Sequence, residues 1–484
     1  MATINTNDLR IKNAKNLIAS FNDGTNANGY VFVGRVQPWP DDNAPTPPQN
    51  NFKDFYTTYD NMVALNRIQP TDSYHMIPKT KWVTGVAYDR YQHNYNIVNR
   101  SLTGSSNLYD ARFYVLNSLN TVYVCLDNNN NTVSTVEPQA TTDDAFYTSD
   151  GYQWIRLFTI SSNNLATRST NNLMPIAPSV TNTQVDGAIN TVLIDNGGAL
   201  YTVNPAGATN QIASYFANIN GDGTGAVAKV SISNSSISKI EVVRAGSGYT
   251  YATLEFSSGN VYQTLADLDN GVNGLNPEGD GNLRTTVIIS PPGGWGSDLN
   301  RQLGGTRVGV FSTLNTPLFV ENYDCPFRQI GILQDFTFNG VNPTSLNACF
   351  GIRLTGVAQT QSYIIGETVT QEVTVNGETK LAKGTVVAWN QSFGVLRYVQ
   401  NSDNADTDGN VYPFEGTNNV LGLTSELVGT PFIVTAEIAG MNFVDGYANP
   451  DLTQYSGYMT YLTNISPITR DPQQSERVSL VISF

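Results

Sequence analysis

Six residues recur at one fixed displacement: Ile189, Val192, Ile194, Gly198, Tyr201 and Thr202 match Ile237, Ile240, Val242, Gly246, Tyr249 and Thr250, each 48 positions further on. An echo without gaps constrains the fold tightly, because both copies must take the same local structure. Each copy reads as a strand, a glycine turn and then Tyr-Thr. The glycines supply positive φ at the turns, and the tyrosines are expected to cover the edge of the small sheet they follow. Residues 179–304, rich in Gly, Ala, Ser and Thr, therefore read as an inserted glycine-rich repeat β module.

A second module, 356–434, carries short strands on even glycine punctuation: Gly366-Glu367-Thr368-Val369, Gly384 to Trp389, and Gly394 to Tyr398. Such spacing predicts a small barrel-like unit. Ahead of both modules, Tyr30 to Gly34 reads as a buried strand, and Phe113 to Ile160 as an antiparallel layer with Asn and Asp-Gly turns. Helical periodicity appears twice, at Leu9, Ala14, Leu17, Ile18 and Phe21, and at Phe55, Tyr59, Met62, Val63 and Asn66. The prolines from Pro38 to Pro48 forbid a regular ladder and predict an extended arm. The chain is thus expected to be mainly β: multi-domain antiparallel β-sandwiches with a few short helices and inserted small β modules. Its organisation reads as an N-terminal domain (1–178), the first insert (179–304), core strands (305–355), the second insert (356–434) and closing strands (435–484).

Composition narrows the function. Charged residues are only 14 % of the 484, so the surface is polar but sparsely charged, and the net charge of −14 opposes the phosphate neutralisation on which nucleic-acid binding depends. No stretch approaches the ~20 apolar residues that span a bilayer, and the start lacks the apolar run of a secretory signal. A soluble protein made in a cytoplasm is expected, with no nucleic acid bound and no membrane insertion. Cys125, Cys325 and Cys349 form no metal or disulfide pattern and read as small core residues.

Few motifs carry chemistry. The run Asn404 to Glu415 follows the Ca²⁺-loop spacing except at its first position, where Asn replaces Asp. With Pro413 where an exiting helix should start, it reads as an Asp-Gly hairpin loop, and Ca²⁺ held by Asp406, Asp408 and Glu415 is the alternative. Gly221 to Gly225 lacks the Lys-Ser/Thr of a phosphate loop and reads as a turn. His75 and His93 lack a nucleophile context. Asp143-Asp144 and Asp150-Gly151 read as a turn introducing the strand at Tyr152. Asn128 to Asn131 is either a solvated turn or a polar contact surface. No enzyme activity and no cofactor are expected.

A set of landmarks in order resembles one family, the baseplate wedge subunit encoded by gene eight of T-even-like contractile-tailed bacteriophages. The set comprises Val33-Gly34-Arg35 with Pro38-Trp39, Pro78 to Trp82, Tyr88-Asp89, Tyr123 to Asp127, Glu137-Pro138 and Asp150 to Trp154 with Leu157-Phe158. It resumes with Phe327-Arg328-Gln329-Ile330, Ser456 to Tyr461 and a closing strand from Val478 to Phe484. The two modules depart from the family's prototype and look like additions. The resemblance implies a virion protein: a β-sandwich-rich structural subunit of the tail baseplate, forming a homodimer within each wedge, contacting other baseplate wedge proteins, and rearranging on host attachment.

Low charge and exposed aromatics suit large protein interfaces, with Pro38 and Trp39 of the arm and Tyr88, Arg90 and Tyr91 as candidate contact residues. The alternative is a receptor- or carbohydrate-binding tail-fibre or adhesin component, which predicts longer repeats and a trimeric shaft. A β-rich glycan hydrolase, the third reading, requires a carboxylate pair, and no pair stands out.

Overall fold

A computed structural model describes residues 5–22, 29–177, 185–201, 214–277, 279–315, 325–338, 343–468 and 475–484. Antiparallel strands dominate, with a few short helices among them, as the turn-rich sequence predicts. Among the described residues no helix is long and apolar enough to cross a membrane. The chain divides into two units. One comprises Met1–Ala14, Tyr74–Val308 and Ser483–Phe484, and the other Lys15–Ser73 and Gly309–Ile482.

In the first unit, a four-stranded sheet orders Tyr114–Leu116, Thr121–Asp127, Gln153–Thr159 and Phe146–Tyr147. Period-two alternation sorts its side chains onto two covered faces. Val122, Val124, Leu126, Ile155 and Leu157 enter one core with Trp295 and Leu303, whereas Tyr123, Cys125 and Trp154 enter another with Tyr152. Burial on both faces is why these strands read as continuous apolar runs.

The repeat module in the same unit repeats in space as well as in sequence. Its copies are strands, Ile189–Asn196 and Ser236–Ser247. Gly198 and Gly246 take φ of +63° and +64°, and Tyr201 and Tyr249, three residues further on in each copy, are buried. Tyr201 N–H donates to the Ser235 carbonyl (3.0 Å) and Tyr249 N–H to the Gly187 carbonyl (3.2 Å). Ser235 and Gly187 are themselves equivalent positions, both with positive φ. The exchange is reciprocal, so a local two-fold relates the copies. Each tyrosine ring also packs against a Gly-Asp-Gly loop, Gly279 to Gly281 for Tyr201 and Gly221 to Gly223 for Tyr249. The tyrosines therefore fill the module's core and do not cover its edge. Thr202 and the start of the module at 179 lie outside the described residues.

In the second unit, one sheet orders Ser345–Asn347, Met62–Arg67, Tyr30–Gly34, Gln329–Gln334 and Tyr458–Asn464. The predicted first helix forms over Asn7–Asn22. The second needs correction: it spans only Phe52–Asp60, and Met62, Val63 and Asn66 belong to a strand. Asn61 ends the helix, its N–H reaching the carbonyls of Thr57, Thr58 and Tyr59. The five buried residues that follow suit a central strand, whose apolar run mimics helical spacing over so short a window.

The second module closes into a barrel. Val395–Val399, Glu378–Asn390, Thr368–Val375, Val420–Gly422, Val428–Pro431 and Phe350–Thr355 pair in that order, and Phe350–Thr355 pairs back onto Val395–Val399. Closure leaves no free edge around the ring, and Ile352, Val369, Val386, Leu396 and Tyr398 fill its interior. All three cysteines are buried, and burial pushes the thiol of Cys349 up to about 12.

Candidate functional site: the socket beneath the proline arm

The strand Tyr30–Gly34 leaves its sheet through an abrupt turn whose chemistry explains the Val33-Gly34-Arg35 landmark. A Cβ at Gly34 would lie 2.6 Å from the Asn61 carbonyl oxygen, so only glycine fits where the neighbouring strand crosses. Arg35 follows with φ +58°, its N–H donating to the same carbonyl at 2.9 Å. This left-handed backbone costs an ordinary side chain about 1 kcal/mol and turns the chain into the arm.

Three groups fasten the arm. Arg328, 7 % exposed, grips the Asp42 carboxylate with Nε (2.9 Å) and Nη2 (2.8 Å), and its Nη1 donates to the Val36 carbonyl at 2.5 Å. The paired fork fits a carboxylate, and the hydrogen bond from Arg328 holds the Asp42 pKa below the usual carboxylate range. Trp39 Nε1 donates to the Ile465 carbonyl (3.1 Å), and Asn464 Nδ2 to that of Thr46 (2.7 Å). The Arg35 guanidinium lies 3.9 Å from the centre of the Trp39 ring, a cation–π stack. Burial lowers the Arg35 pKa, Asp403 pulls it back up, and Arg328 lowers it further.

Between arm and sheet lies a socket of about 320 Å³, bounded by Arg35, Trp39, Pro47, Pro48, Lys53 and Leu462. Two buried atoms of its lining residues, Arg35 Nε and Gln329 Oε1, have no hydrogen-bond partner among the described residues. The socket offers rigid aromatic and proline walls and one stacked cation, a set suited to gripping a protein segment. Trp39, half-buried, lines the socket, and Pro38 before it is exposed and outside its lining.

The other proposed contact segment lies elsewhere. Tyr88 and Tyr91 are 1 % and 4 % exposed and enter opposite cores of the first unit's sheet. Tyr91 meets Trp295 edge-on at 4.7 Å, and Tyr88 sits 6.0 Å from Trp154. Between them, fully buried Asp89 accepts from Thr103 N–H (2.8 Å), Thr103 Oγ1 (2.6 Å) and Arg112 N–H (2.7 Å). These two rings have no surface to give a partner. Arg90, half-buried, borders a polar hollow with Asn99, Asn130 and Asn131. Asn129, Asn130 and Asn131 all take positive φ, an asparagine turn whose side chains line that hollow only in part.

The 404–415 loop is closed on itself. Asp406 Oδ1 accepts from Asp408 and Asn410 N–H and Oδ2 from Tyr412 O–H, and hydrogen bonds led by Asn410 bring its pKa down to about 2. Glu415 N–H is drawn instead to Gln371. Among the described residues no three or more His, Cys, Asp or Glu are placed to hold a metal ion. Asp150 gathers Thr148 Oγ1 (2.5 Å), Thr135 N–H (2.7 Å), Val136 N–H (2.9 Å) and Ser134 Oγ (3.1 Å) ahead of its strand. Sequence reasoning missed Arg328 as the arm's anchor and Asp89 as an interior clamp. Arg328 was legible only as part of a landmark, and Asp89 carried no separate signal. Compared with known proteins, the chain matches no family model and no curated protein sequence.

Proposed function

We propose that this chain is a structural subunit of a contractile phage tail baseplate wedge, joining neighbouring wedge proteins through the arm and its socket. One observation carries the reading. The landmarks that resemble the gene-eight family come from both ends of the sequence, yet Tyr30–Gly34, Gln329–Gln334 and Tyr458–Asn464 are consecutive neighbours in one sheet. Arg35, Trp39, Arg328 and Gln329 from those same landmarks build the arm and its socket. A sheet assembled from the matching segments, with a closed barrel inserted between them, is what a wedge framework carrying an addition requires. On this reading the protein works mechanically and not as an enzyme, within the virion, after assembly in the host cytoplasm.

The test is to mix the purified chain with the other tail proteins of the same genome and measure complex size by light scattering after gel filtration. A defined complex that Trp39→Ala weakens is expected. A chain that stays monomeric with every tail protein overturns the proposal.

A further inference from the structure

Three aromatic side chains stand in solvent side by side: on the Phe52–Asp60 helix Phe52 is 75 % exposed and Tyr56 52 %, and from a distant loop Tyr455 is 51 % exposed. They form one surface. Phe52 stacks on Tyr56 with centroids 6.4 Å apart and planes at 24°, and Tyr56 meets Tyr455 at 5.1 Å and 83°. Two exposed rings at a right angle make the walls of an open corner, with buried Tyr59 5.8 Å from Tyr455 beneath.

The corner is held at some cost. Tyr455 takes φ +60°, a conformation uncommon for a bulky side chain. Its hydroxyl donates 2.5 Å to Asp60 Oδ1. Among the described residues Asp60 forms no ion pair, and its burial raises the carboxyl pKa even though the Tyr455 hydrogen bond works the other way. The site thus gathers aromatic faces, which carry negative quadrupole charge, and a half-buried carboxylate lacking a counter-charge. The whole chain adds a net −14.

Each of these features favours the same visitor. A side-chain cation can stack on the rings and compensate Asp60, whereas a purely apolar segment leaves that carboxylate further desolvated without a partner. A second copy of this chain brings the same negative charge to the encounter. We propose that the Phe52, Tyr56 and Tyr455 corner is a docking site for an arginine or lysine side chain of a partner protein, with Asp60 as its counter-ion. This surface is distinct from the arm socket, and the proposal does not rest on the baseplate reading.

The test uses the full chain and an immobilised nona-arginine peptide at 150 mM salt. Wild-type binding is expected to weaken at least fivefold in the Phe52→Ala, Tyr56→Ala double variant and at least threefold in Asp60→Asn. Glu378→Gln, which removes one exposed carboxylate from another element, is expected to change it less than 1.5-fold. Because Phe52 and Tyr56 are mostly solvent-exposed, thermal melts of the double variant should match the wild type, and Asp60→Asn gives an independent reading if they do not. The proposal fails if the wild type does not bind the peptide, or if all variants bind equally. It also fails if the double variant instead abolishes self-association in sedimentation, which makes a second copy the occupant.

Discussion

The arm from Pro38 to Pro48 and the segment from Tyr88 to Tyr91 both set aromatic rings near arginine, yet they have opposite fates. The arm runs off the end of a central strand, and its fastenings are made by neighbours reaching out: Arg328 to Asp42, Asn464 to Thr46. The Tyr88 segment crosses a sheet covered on both faces, so its two rings enter two different cores and Asp89 is sealed between them. Residue type alone does not separate surface from interior here. What separates them is whether the segment runs off the end of its sheet, as the arm does, or is covered by a core on either side, as Tyr88 to Tyr91 is.

The largest effect expected from breaking this contrast is at Asp89. Asp89→Ala removes a buried carboxylate that accepts three hydrogen bonds, and urea unfolding should show a loss of about 3–5 kcal/mol in the first unit. Arg328→Ala removes the arm's anchor and should cost about 2–4 kcal/mol, with new cleavage between Pro38 and Pro48 in limited proteolysis as the direct readout. Tyr88→Phe deletes a hydroxyl that accepts from Val83 N–H at 2.6 Å and should cost about 1 kcal/mol by the same urea measurement. Trp39→Ala should shift stability by no more than about 1 kcal/mol, with its main consequence in complex formation.

The smallest effect is one of pH. The Asp42 pKa is depressed in the folded protein, so the arm's fastening is fully present above the unfolded value of about 3.9 and is lost as pH falls through the lower folded value. Proteolysis of the arm by an acid-active protease should rise in that acidic window, and Arg328→Ala should flatten the dependence. A profile that is already flat in the wild type contradicts the role given to Arg328.

Much of the architecture was legible in local pattern. The 48-residue echo announced two equivalent strands, because glycine at a positive-φ turn and a tyrosine three residues later are local requirements. Even glycine spacing likewise announced the barrel. The tyrosines' place in the core was not legible, since it depends on Gly-Asp-Gly loops that join each copy only in space. The end of the second helix was missed because a fully buried strand lacks alternation. The socket was half legible: its prolines and Trp39 stand out, but Arg328 and Asn464 reach it only through strand pairing across most of the chain.

That pairing also sets a schedule. Tyr30 to Gly34 must wait for Gln329 to Leu333, and those for Tyr458 to Asn464, before the sheet is complete. At 5–20 residues per second, synthesis of the intervening 400-odd residues takes roughly 20–90 s. Met62 to Arg67 can cover one edge of the Tyr30 strand soon after it emerges, but the other edge stays unpartnered until Gln329 to Leu333 follow, whereas the barrel, whose ring is drawn from Phe350 to Pro431, closes on contacts much nearer in sequence. The nascent chain is therefore most exposed to aggregation at its oldest strand, and chaperone dependence should follow the Tyr30–Gly34 segment more than either insert.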